Sequence, residues 1–488
     1  AGVWQRVALV GPTTGRSFTV WRWPESGFGS LRQLGYAATR EGLPKRVALW
    51  RAAGPALQTP AGWAEMLYTN RTYSYGFYTS GQDIYLRLPG DRDPNALYVT
   101  AGKGSAFVVN GPDVRISGFE MRQLDFGVFF AAAASGGVVD RNLITGSLHG
   151  VHFRGAEGPP ARYGSDHVVQ YNPGDPAIPW TFVKLAPRLA DGTTYPSWRI
   201  GGDAESTAVS GRGGAMRVVV RYNTMDGLFN GVGTGENQRF DRYAGMDMDV
   251  HDNLIRRLAD DALEPEWAVI NFRAWRNRIE QTATVLSTGP ATYGPLYLFR
   301  NEAWRAGAEG VGRDGTGDVG VGATFFKYSG RSTPPARVYV LHNTLWTDAR
   351  DVSGGAQYAG GGPATEMLYL RNNIIHASRY AFSAPTGSGR WDEDYNAFST
   401  TDRIRGLEYG RRYTTDVPAY RGASGQGAHT NLSGDFVTPP VLADPAAGDL
   451  RLPRGSPLVD AGVPVPNVSD RPDIDYRGAA PDLGASER

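Results

Sequence analysis

The sequence predicts an all-β protein that folds as a single-stranded, right-handed parallel β-helix, a solenoid in which each turn of chain lies on the previous one. Two observations predict this fold. Short apolar runs end repeatedly in an asparagine that is followed by another apolar pair. The step from Asn253 to Asn277 is 24 residues, and so is the step from Asn277 to Asn301, a period typical of proteins built from stacked coils.

The repeat has eight members, each with a strand-like run before or around its asparagine. The corner residues are Asn142, Asn223, Asn253, Asn277, Asn301, Asn343, Asn372 and Asn396. Asparagine tolerates the left-handed backbone angles of a tight bend, and its amide can bond to the asparagine of the next coil about 4.8 Å away. A single match would carry no weight, because asparagine is common in turns. Eight matches indicate stacked coils.

The composition argues against several classes of function. The chain has 488 residues, more than the roughly 100–200 expected of one compact domain, which favours a solenoid. Its 50 Lys and Arg nearly balance its 49 Asp and Glu, so we expect no nucleic-acid partner. The absence of cysteine excludes disulfides, thiolate metal sites and cysteine nucleophiles. No apolar run reaches about 18 residues, so we expect no membrane span, and we expect a monomer.

The chain divides into three predicted regions. Residues 1–95 are expected to form a β-rich N-terminal cap with a short helix near Gly29–Leu43, because the end of a solenoid must be covered. Residues 96–445 are expected to form the coils, with insertions at 156–215, 306–335 and 349–365, and residues 446–488 a last coil and C-terminal strap. Long loops are usually functional, so the first insertion, which contains Trp180, is expected to form a wall of the binding cleft.

A family resemblance follows from these features. The asparagine-cornered coils, with the terminal sequences Gly455-Ser-Pro-Leu-Val-Asp-Ala-Gly and Pro481-Asp-Leu-Gly-Ala-Ser-Glu, resemble the pectin-lyase-like superfamily over residues 95–488. The resemblance implies a carbohydrate-active protein that is secreted or periplasmic. It does not specify the reaction, because that superfamily includes glycoside hydrolases, polysaccharide lyases, epimerases and binding proteins.

Acidic residues cluster most densely on one predicted strand, where Asp260, Asp261, Glu264 and Glu266 lie close together. On an extended strand Glu264 and Glu266 point to the same side, about 6.6 Å apart, while Leu263 points to the core. The glutamates are therefore expected on an exposed flank, with the two aspartates at the turn before them. The alternatives are that Asp260 bonds only to local backbone and that the glutamates form a solvated face.

Counting residues from each corner asparagine aligns the acidic strand with its neighbours. The acidic coil carries one extra residue, the second aspartate. The alignment gives three columns: Asp261 with His149, Asn230 and Thr284; Glu264 with His152, Gly233 and Ser287; and Glu266 with Arg154, Gly235 and Gly289. Small side chains beside the acids leave room for a sugar chain. The expected substrate contacts on this flank are His149, His152, Arg154 and Asn230.

Paired carboxyl groups favour hydrolysis of a glycosidic bond, in which one carboxyl is protonated and the other ionised. A separation of about 6.5–9.5 Å suits inversion, so an inverting glycoside hydrolase acting on a polysaccharide or oligosaccharide is the preferred interpretation, with no cofactor required. The Asp260-Asp261 pair resembles that of inverting β-helix hydrolases such as polygalacturonases. This chain lacks their later Asn-Thr-Asp, Gly-His-Gly and Arg-Ile-Lys sequences, which leaves acid and base unassigned.

Two alternatives stay open. A polysaccharide lyase that acts on a uronic-acid polymer by β-elimination needs a cation and a basic residue; Lys327, Arg300 and Arg154 are the candidates, although a lysine among aromatic residues is often structural. A calcium ion bound by Asp260, Asp261 and Glu264 would supply this cation, because Ca²⁺ takes six to eight oxygen ligands. The second alternative is a non-catalytic carbohydrate-binding surface protein, which would not require four clustered acids.

Overall fold

A computed structural model shows that the predicted solenoid is correct. Strand accounts for 49% of the structure and helix for 7%, with most strands in large parallel sheets. The structure describes residues 3–28, 31, 33–40, 45–47, 50–52, 59–69, 75–145, 147–154, 164–165, 168–170, 172, 198–200, 207–212, 215–234, 245–288, 291–307, 324–328, 336–349, 353–357, 367–384, 391–410, 412–431 and 433–488.

Each coil contributes three segments, and each segment pairs in parallel with the equivalent segment of the next coil. In one central coil the strand Trp267–Trp275 precedes the corner asparagine Asn277, and the strand Arg278–Thr288 follows it. The segments before the asparagine form what we name the corner face. The segments directly after it form the second face, and the segments after those form the trough face. Arg278–Thr288 and Leu254–Glu264 are long enough to run across both the second face and the trough face.

The corner face is a 13-stranded parallel sheet. Its strands are Arg115–Ser117, Val138–Asp140, Gly164–Ser165, Val168–Gln170, Ala215–Met216, Val219–Arg221, Gly245–His251, Trp267–Trp275, Ala291–Tyr293, Leu296–Phe299, Arg337–Leu341, Met367–Arg371 and Trp391–Asp394.

The second and trough faces are joined into a 14-stranded sheet by the two long strands. The other second-face strands are Thr224–Asp226, Glu302–Trp304, Thr344–Trp346, Ile374–Ala377 and Ala397–Thr400, preceded by the separate pair Glu120–Arg122 and Leu143–Thr145. The other trough-face strands are Ser105–Val109, Phe126–Phe130, His149–Arg154, Thr207–Arg212, Asn230–Gly233, Thr324–Tyr328 and Ser353–Gln357.

The corner asparagines form a hydrogen-bonded ladder along the solenoid, as predicted. The left-handed bend, however, was predicted at the asparagine and lies one residue before it, for example at Arg276 with φ 50°. Asn277 is typical: its Nδ2 donates to Asn301 Oδ1 at 2.9 Å and to the Val250 carbonyl at 2.9 Å. The ladder runs through Asn142, Asn172, Asn223, Asn253, Asn277, Asn301, Asn343, Asn373 and Asn396. Each amide thus satisfies buried backbone that the bend would otherwise leave unpaired.

The ladder differs from the sequence prediction at two positions. Asn373 occupies the corner, not Asn372, whose side chain instead donates to the Val463 carbonyl of the C-terminal strap. Asn172 is an additional member, and it comes from the segment 156–215 that was expected to be an insertion. Strands Val168–Gln170 and Thr207–Arg212 of that segment pair in the two main sheets, so the segment contributes a coil of its own. The expected insertions 306–335 and 349–365 likewise contain strands of the trough face, Thr324–Tyr328 and Ser353–Gln357.

The interior of the solenoid is filled by aliphatic side chains stacked in register. Val139, Val220, Val250, Leu298 and Leu370 lie in one such column, and none is more than 1% exposed. Burying a side chain of this type contributes about 1.5–3 kcal/mol. The repeated burial fixes the register of the strands, since a one-residue slip would turn every apolar side chain outward.

The N-terminal cap is β-rich, and its helix lies elsewhere than expected. Its helices are Pro60–Thr69 and the short 3₁₀ turns Pro89–Asp91 and Pro94–Ala96. Its strands are Gln5–Val10, Ser17–Trp23, Gly76–Ser80 and Asp83–Arg87 in one antiparallel sheet, Gln33–Ala37, Lys45–Val47 and Tyr98–Gly102 in another, and Trp50–Ala52, which pairs with Trp198–Ile200.

The helix expected near Gly29–Leu43 was a wrong prediction. In that range Gln33–Ala37 is a strand that pairs with Tyr98–Gly102, and Leu34 and Tyr36 are buried in the core of the cap. Tertiary packing therefore decides the conformation of this segment over its local helix preference.

The C-terminal region packs against the outside of the coils. It contains the helix Val417–Ser424 and a small sheet of Ser383–Ala384, Leu407–Tyr409 and Arg412–Thr414. Leu452, Leu458 and Leu483 of the strap bury against Ile374 of the second face. Within the described part of the chain, no helix is both long and apolar enough to cross a bilayer.

Candidate functional site

The acidic strand Leu254–Glu264 lies in the middle of the trough face. Its pairing with Arg278–Thr288 shifts between Leu258 and Asp261, a β-bulge that accommodates one extra residue. This confirms the extra residue that the sequence predicted for the acidic coil. Bulges re-aim side chains, and beyond this one Asp261 pairs with Thr284 as expected.

The predicted columns of Asp261 and Glu264 are confirmed, with one added coil. The predicted column of Glu266 with Arg154 is wrong, because the strand ends before Glu266. Glu264 pairs with Gly233 on one side, and Ser287 follows in the next coil, where it pairs with Lys327. The added coil places Ser210 between His152 and Gly233. The two histidines are therefore three coils from the acids, one more than the sequence alignment implied.

Glu266 does not continue the acidic strand. The strand ends at Glu264, and the Glu266 N–H donates to the Glu264 carbonyl at 3.0 Å, so the chain turns tightly at Pro265. One carboxylate oxygen from each of Asp261, Glu264 and Glu266 lies within 4.8 Å of the other two. The separation of about 6.6 Å for alternate positions of one strand therefore does not apply to Glu266, because the chain turns at Pro265.

Asn230 positions two of the acids. Its Oδ1 accepts a hydrogen bond from the Asp261 N–H at 3.1 Å, and its Nδ2 donates to Glu264 Oε2 at 2.7 Å. Asn230 is itself buried. Its contacts in the structure are those of a positioning residue rather than of the direct substrate contact that the sequence predicted.

Lys327 lies inside the acidic cluster. Its Nζ is 2.9 Å from Asp261 Oδ2 and 3.9 Å from Glu266 Oε1, while the Ser287 hydroxyl donates to the same Glu266 oxygen. The sequence predicted that Lys327 would lie two coils past the acids, and it does. The direct ion pair with Asp261 was not foreseen, since sequence alignment gives the column of a side chain but not its reach.

Burial and neighbouring charges set the protonation of two groups in the cluster, Glu264 and Lys327. Burial raises the pKa of Glu264 well above its ordinary value, and the charges of Asp261, Glu266 and Asp260 raise it further. Burial alone would lower the pKa of Lys327, but the same three carboxylates outweigh burial and raise it. Glu264 therefore tends to hold a proton, whereas Lys327 stays charged.

Three carboxylates of the acidic cluster lie close enough together to hold a metal ion. Asp261 is fully buried, and its Oδ1 has no hydrogen-bond partner among the described residues. The three carboxylates that converge are Asp261, Glu264 and Glu266, so Glu266 takes the place that the sequence gave to Asp260. Lys327 already supplies one positive charge to Asp261, so a divalent cation fits these residues only where the ammonium moves aside.

The remaining predicted site residues have mixed outcomes. His149 and His152 lie on the trough face, and both contact Ser210. Arg154 ends the same strand and is exposed. Arg300 is not in the trough: it lies on the corner face and donates to the Asp475 carbonyl of the strap at 2.8 Å. Trp180 lies outside the described residues.

Sequence reasoning missed three contributors to the trough. Ser210 was hidden in the presumed insertion, and Phe126 and Phe129 precede the first recognised asparagine corner. All three occupy the columns that contain the histidines. A search for the apolar alternation of Val168-Val-Gln and Thr207-Ala-Val-Ser would have revealed the hidden coil.

A scan of this chain against models of known protein families finds no match, and a search of curated proteins finds no relative. The parallel β-helix is a fold typical of polysaccharide-degrading enzymes. The stacked parallel strands agree with a parallel β-helix, and no family model or relative confirms the resemblance to the pectin-lyase-like superfamily.

Proposed function

We propose that the protein is a glycoside hydrolase that cleaves a polysaccharide lying in the trough. The observation that carries this proposal is the close pair of glutamates: Glu264, whose pKa is raised, beside Glu266, which accepts a hydrogen bond from Ser287. Enzymes that hydrolyse glycosidic bonds generally use one protonated and one ionised carboxyl group. A raised pKa keeps a carboxyl group protonated and so marks Glu264 as the acid of the pair.

In this mechanism Glu264 donates its proton to the oxygen of the leaving sugar as the glycosidic bond breaks. One oxygen of Glu264 and one oxygen of Glu266 lie within 4.8 Å of each other, so both carboxyl groups can reach one sugar, as the short separation in retaining enzymes requires. We therefore favour attack by the Glu266 carboxylate on the anomeric carbon. Water then cleaves the glycosyl ester and gives its proton back to Glu264, which restores both groups.

The positive charge of Lys327 has a defined part in this proposal. The ammonium group neutralises the fully buried Asp261, which otherwise would be an uncompensated charge in a low-dielectric position. It also limits how far the neighbouring acids raise the pKa of Glu264. Lys327 and Asn230 thus hold the acidic cluster in place without contacting the reacting bond.

A product assay tests the hydrolase proposal. Incubation with a panel of xylan, carboxymethylcellulose, polygalacturonate and alginate should release new reducing ends from at least one polymer. Hydrolysis adds water, so these products should show no ultraviolet absorbance from a carbon–carbon double bond. Proton NMR should show that the first product keeps the anomeric configuration of the substrate. Absorbing, unsaturated products would contradict hydrolysis.

Lys327 favours the lyase as the second candidate. In β-elimination a base removes the proton next to a uronate carboxyl group, the glycosidic C–O bond breaks, and a double bond forms in the sugar ring. The raised pKa of Lys327 makes it a poor base while it pairs with Asp261. A calcium ion held by Asp261, Glu264 and Glu266 would compete for that position and neutralise the substrate carboxylate. Unsaturated products that disappear on chelation would therefore support the lyase.

A non-catalytic binding protein is the third candidate. Binding to a polymer of the panel without any release of reducing ends or unsaturated products would support it. Four clustered acids with a paired lysine are not needed for binding alone, so this candidate leaves the raised pKa of Glu264 without a purpose.

A further inference from the structure

A half-buried arginine near the C-terminal end of the solenoid has no polar partner among the described residues. Arg379 follows the second-face strand Ile374–Ala377 and is of intermediate exposure. Within the described part of the chain its guanidinium makes no hydrogen bond or ion pair, and its Nε is buried without a partner. Buried polar groups in folded proteins nearly always have a hydrogen-bond partner, and a charge without one is costly. Arg379 therefore has the properties of a binding group for an anion.

Two tyrosine rings lie beside this arginine. The guanidinium carbon of Arg379 is 5.2 Å from the centre of the Tyr380 ring, within the range of a cation–π contact. The Tyr380 and Tyr413 ring centres are 6.3 Å apart, with planes at 33°. Tyr380 is buried, whereas Tyr413 is 49% exposed. An aromatic surface is thus open to solvent close to the unpaired guanidinium.

A carboxyl group lies on the other side of the exposed ring. Glu408 and Tyr413 are direct partners on neighbouring antiparallel strands. The Ser383 hydroxyl donates to Glu408 Oε2 at 2.6 Å, and no described residue donates to Oε1. Burial raises the pKa of Tyr413, the charge of Glu408 raises it further, and the charges of Arg379 and Arg405 oppose the rise. Glu408 and Arg379 therefore act on the same ring, although they form no ion pair with each other.

We name Arg379, Tyr380, Glu408 and Tyr413 the Arg379 site, and it is separate from the acidic cluster. The column of Glu264 continues along the trough face through Ser287, Lys327, Ala356, Ser383 and Glu408. These five steps place Glu408 about 24 Å from Glu264 along the axis, at about 4.8 Å per coil. Substitutions in the Arg379 site therefore leave the proposed catalytic groups unchanged.

We propose that the Arg379 site binds an acidic saccharide, with the sugar carboxylate on Arg379 and a sugar hydroxyl on Glu408. A guanidinium matches the two oxygens of a carboxylate with two parallel hydrogen bonds. The C–H groups of the sugar pack against the exposed part of the Tyr413 ring. Glu408 repels a simple anion but accepts a hydrogen bond from a hydroxyl group, so the site favours a ligand that carries both groups. The inference goes beyond the proposed hydrolase, because binding here needs no cleavage in the trough.

A fluorine label on the Tyr413 ring tests the inference. A single 3-fluorotyrosine incorporated at position 413 gives one fluorine-19 NMR signal, which reports on this site and not on the trough. Titration with galacturonate or alginate oligomers should shift the signal until it saturates. A neutral xylan oligomer and inorganic sulfate should produce no saturable shift in the same concentration range.

Two substitutions in the labelled protein separate the parts of the site. Arg379→Gln removes the charge and should raise the oligomer concentration at half-saturation by about tenfold or more, because a hydrogen bond to a charged group is lost. Glu408→Gln removes the repulsion of simple anions, so sulfate should now shift the signal. The second variant tests the site independently if circular dichroism shows that the first is not folded.

Arg305→Gln is the matched control. Arg305 also has a buried Nε without a partner and lies 5.4 Å from a ring centre, that of Trp304. The Trp304 indole, however, donates to the Pro445 carbonyl of the C-terminal region, so no exposed ring accompanies this arginine. Its substitution should leave the titration unchanged. Absence of a saturable shift with either acidic oligomer, an equal response to sulfate in the unsubstituted protein, or unchanged half-saturation in folded Arg379→Gln would overturn the inference.

Discussion

Glu264→Gln should abolish measurable turnover. A general acid contributes about 10²–10⁴-fold to the rate, and glutamine has the shape of glutamic acid without a proton to donate to the leaving oxygen. The Asn230 amide can still donate to the remaining side-chain oxygen. The loss should therefore appear in kcat, measured by release of reducing ends, while substrate binding changes little.

The same substitution should not lower the stability of the folded protein, and the pH dependence of that stability gives the direction of the effect. The pKa of Glu264 is raised in the folded protein, so between the ordinary and raised pKa values the folded state holds a proton that the unfolded state has lost. The stability that the protonated carboxyl contributes is therefore present at low pH and is lost as pH rises through this range. Because glutamine does not titrate, Glu264→Gln should match or exceed the wild-type melting temperature at mildly alkaline pH.

Glu280→Gln is the matched control. Glu280 lies on the strand next to Glu264 but on the second face, where it pairs with Arg278 at 2.9 Å. Its substitution should leave kcat within experimental error of the wild-type value. Equal losses in the two variants, or full activity in Glu264→Gln, would remove Glu264 from the mechanism.

Asn277→Ala should destabilise the solenoid by about 3–5 kcal/mol, since each buried polar group left unpaired costs about 1–3 kcal/mol. The Asn277 amide accepts hydrogen bonds from the Asn253 backbone N–H and side chain. It also donates to the Val250 carbonyl. Alanine leaves these groups buried without their partner, so the midpoint of denaturant unfolding followed by circular dichroism should fall.

Asn271→Gly controls for loss of an asparagine in the same coil. The Asn271 side chain is half-buried and donates to Asp247 Oδ1 at 2.6 Å. Its backbone φ is 54°, an angle that glycine adopts without strain. Its loss should cost no more than about 1.5 kcal/mol, the usual net contribution of one such hydrogen bond. If both variants lose the same stability, the asparagine ladder is not what holds the corners.

The sequence predicts the solenoid well because its signal repeats. A corner asparagine makes the same amide hydrogen bonds in every coil, so the pattern recurs even where loops lengthen the step. The coil that contains Asn172 was missed because it is embedded in a long segment and its strand Val168–Gln170 is only three residues long. Asn372 was mistaken for the ladder member since two adjacent asparagines fit the pattern equally well.

The candidate site was predicted in part. The columns of Asp261 and Glu264 followed from counting residues, and the structure confirms them. The position of Glu266 did not, because its turn at Pro265 breaks the alternation of the strand. Arg300 was misplaced for a related reason: sequence shows that an arginine follows a strand but not that a distant C-terminal strap accepts its hydrogen bond.

The protonation state of Glu264 at neutral pH most directly tests whether this residue is the acid of the trough. Carbon-13 NMR of protein labelled at the glutamate carboxyl carbons, compared with the same spectrum of Glu264→Gln, isolates the signal of this one group. We expect this signal to titrate well above the ordinary glutamate pKa of about 4.3. The Glu264 carboxyl should still hold its proton at a pH where exposed glutamates have lost theirs. A Glu264 signal that titrates at or below the ordinary value would contradict the assignment of Glu264 as the acid of the trough.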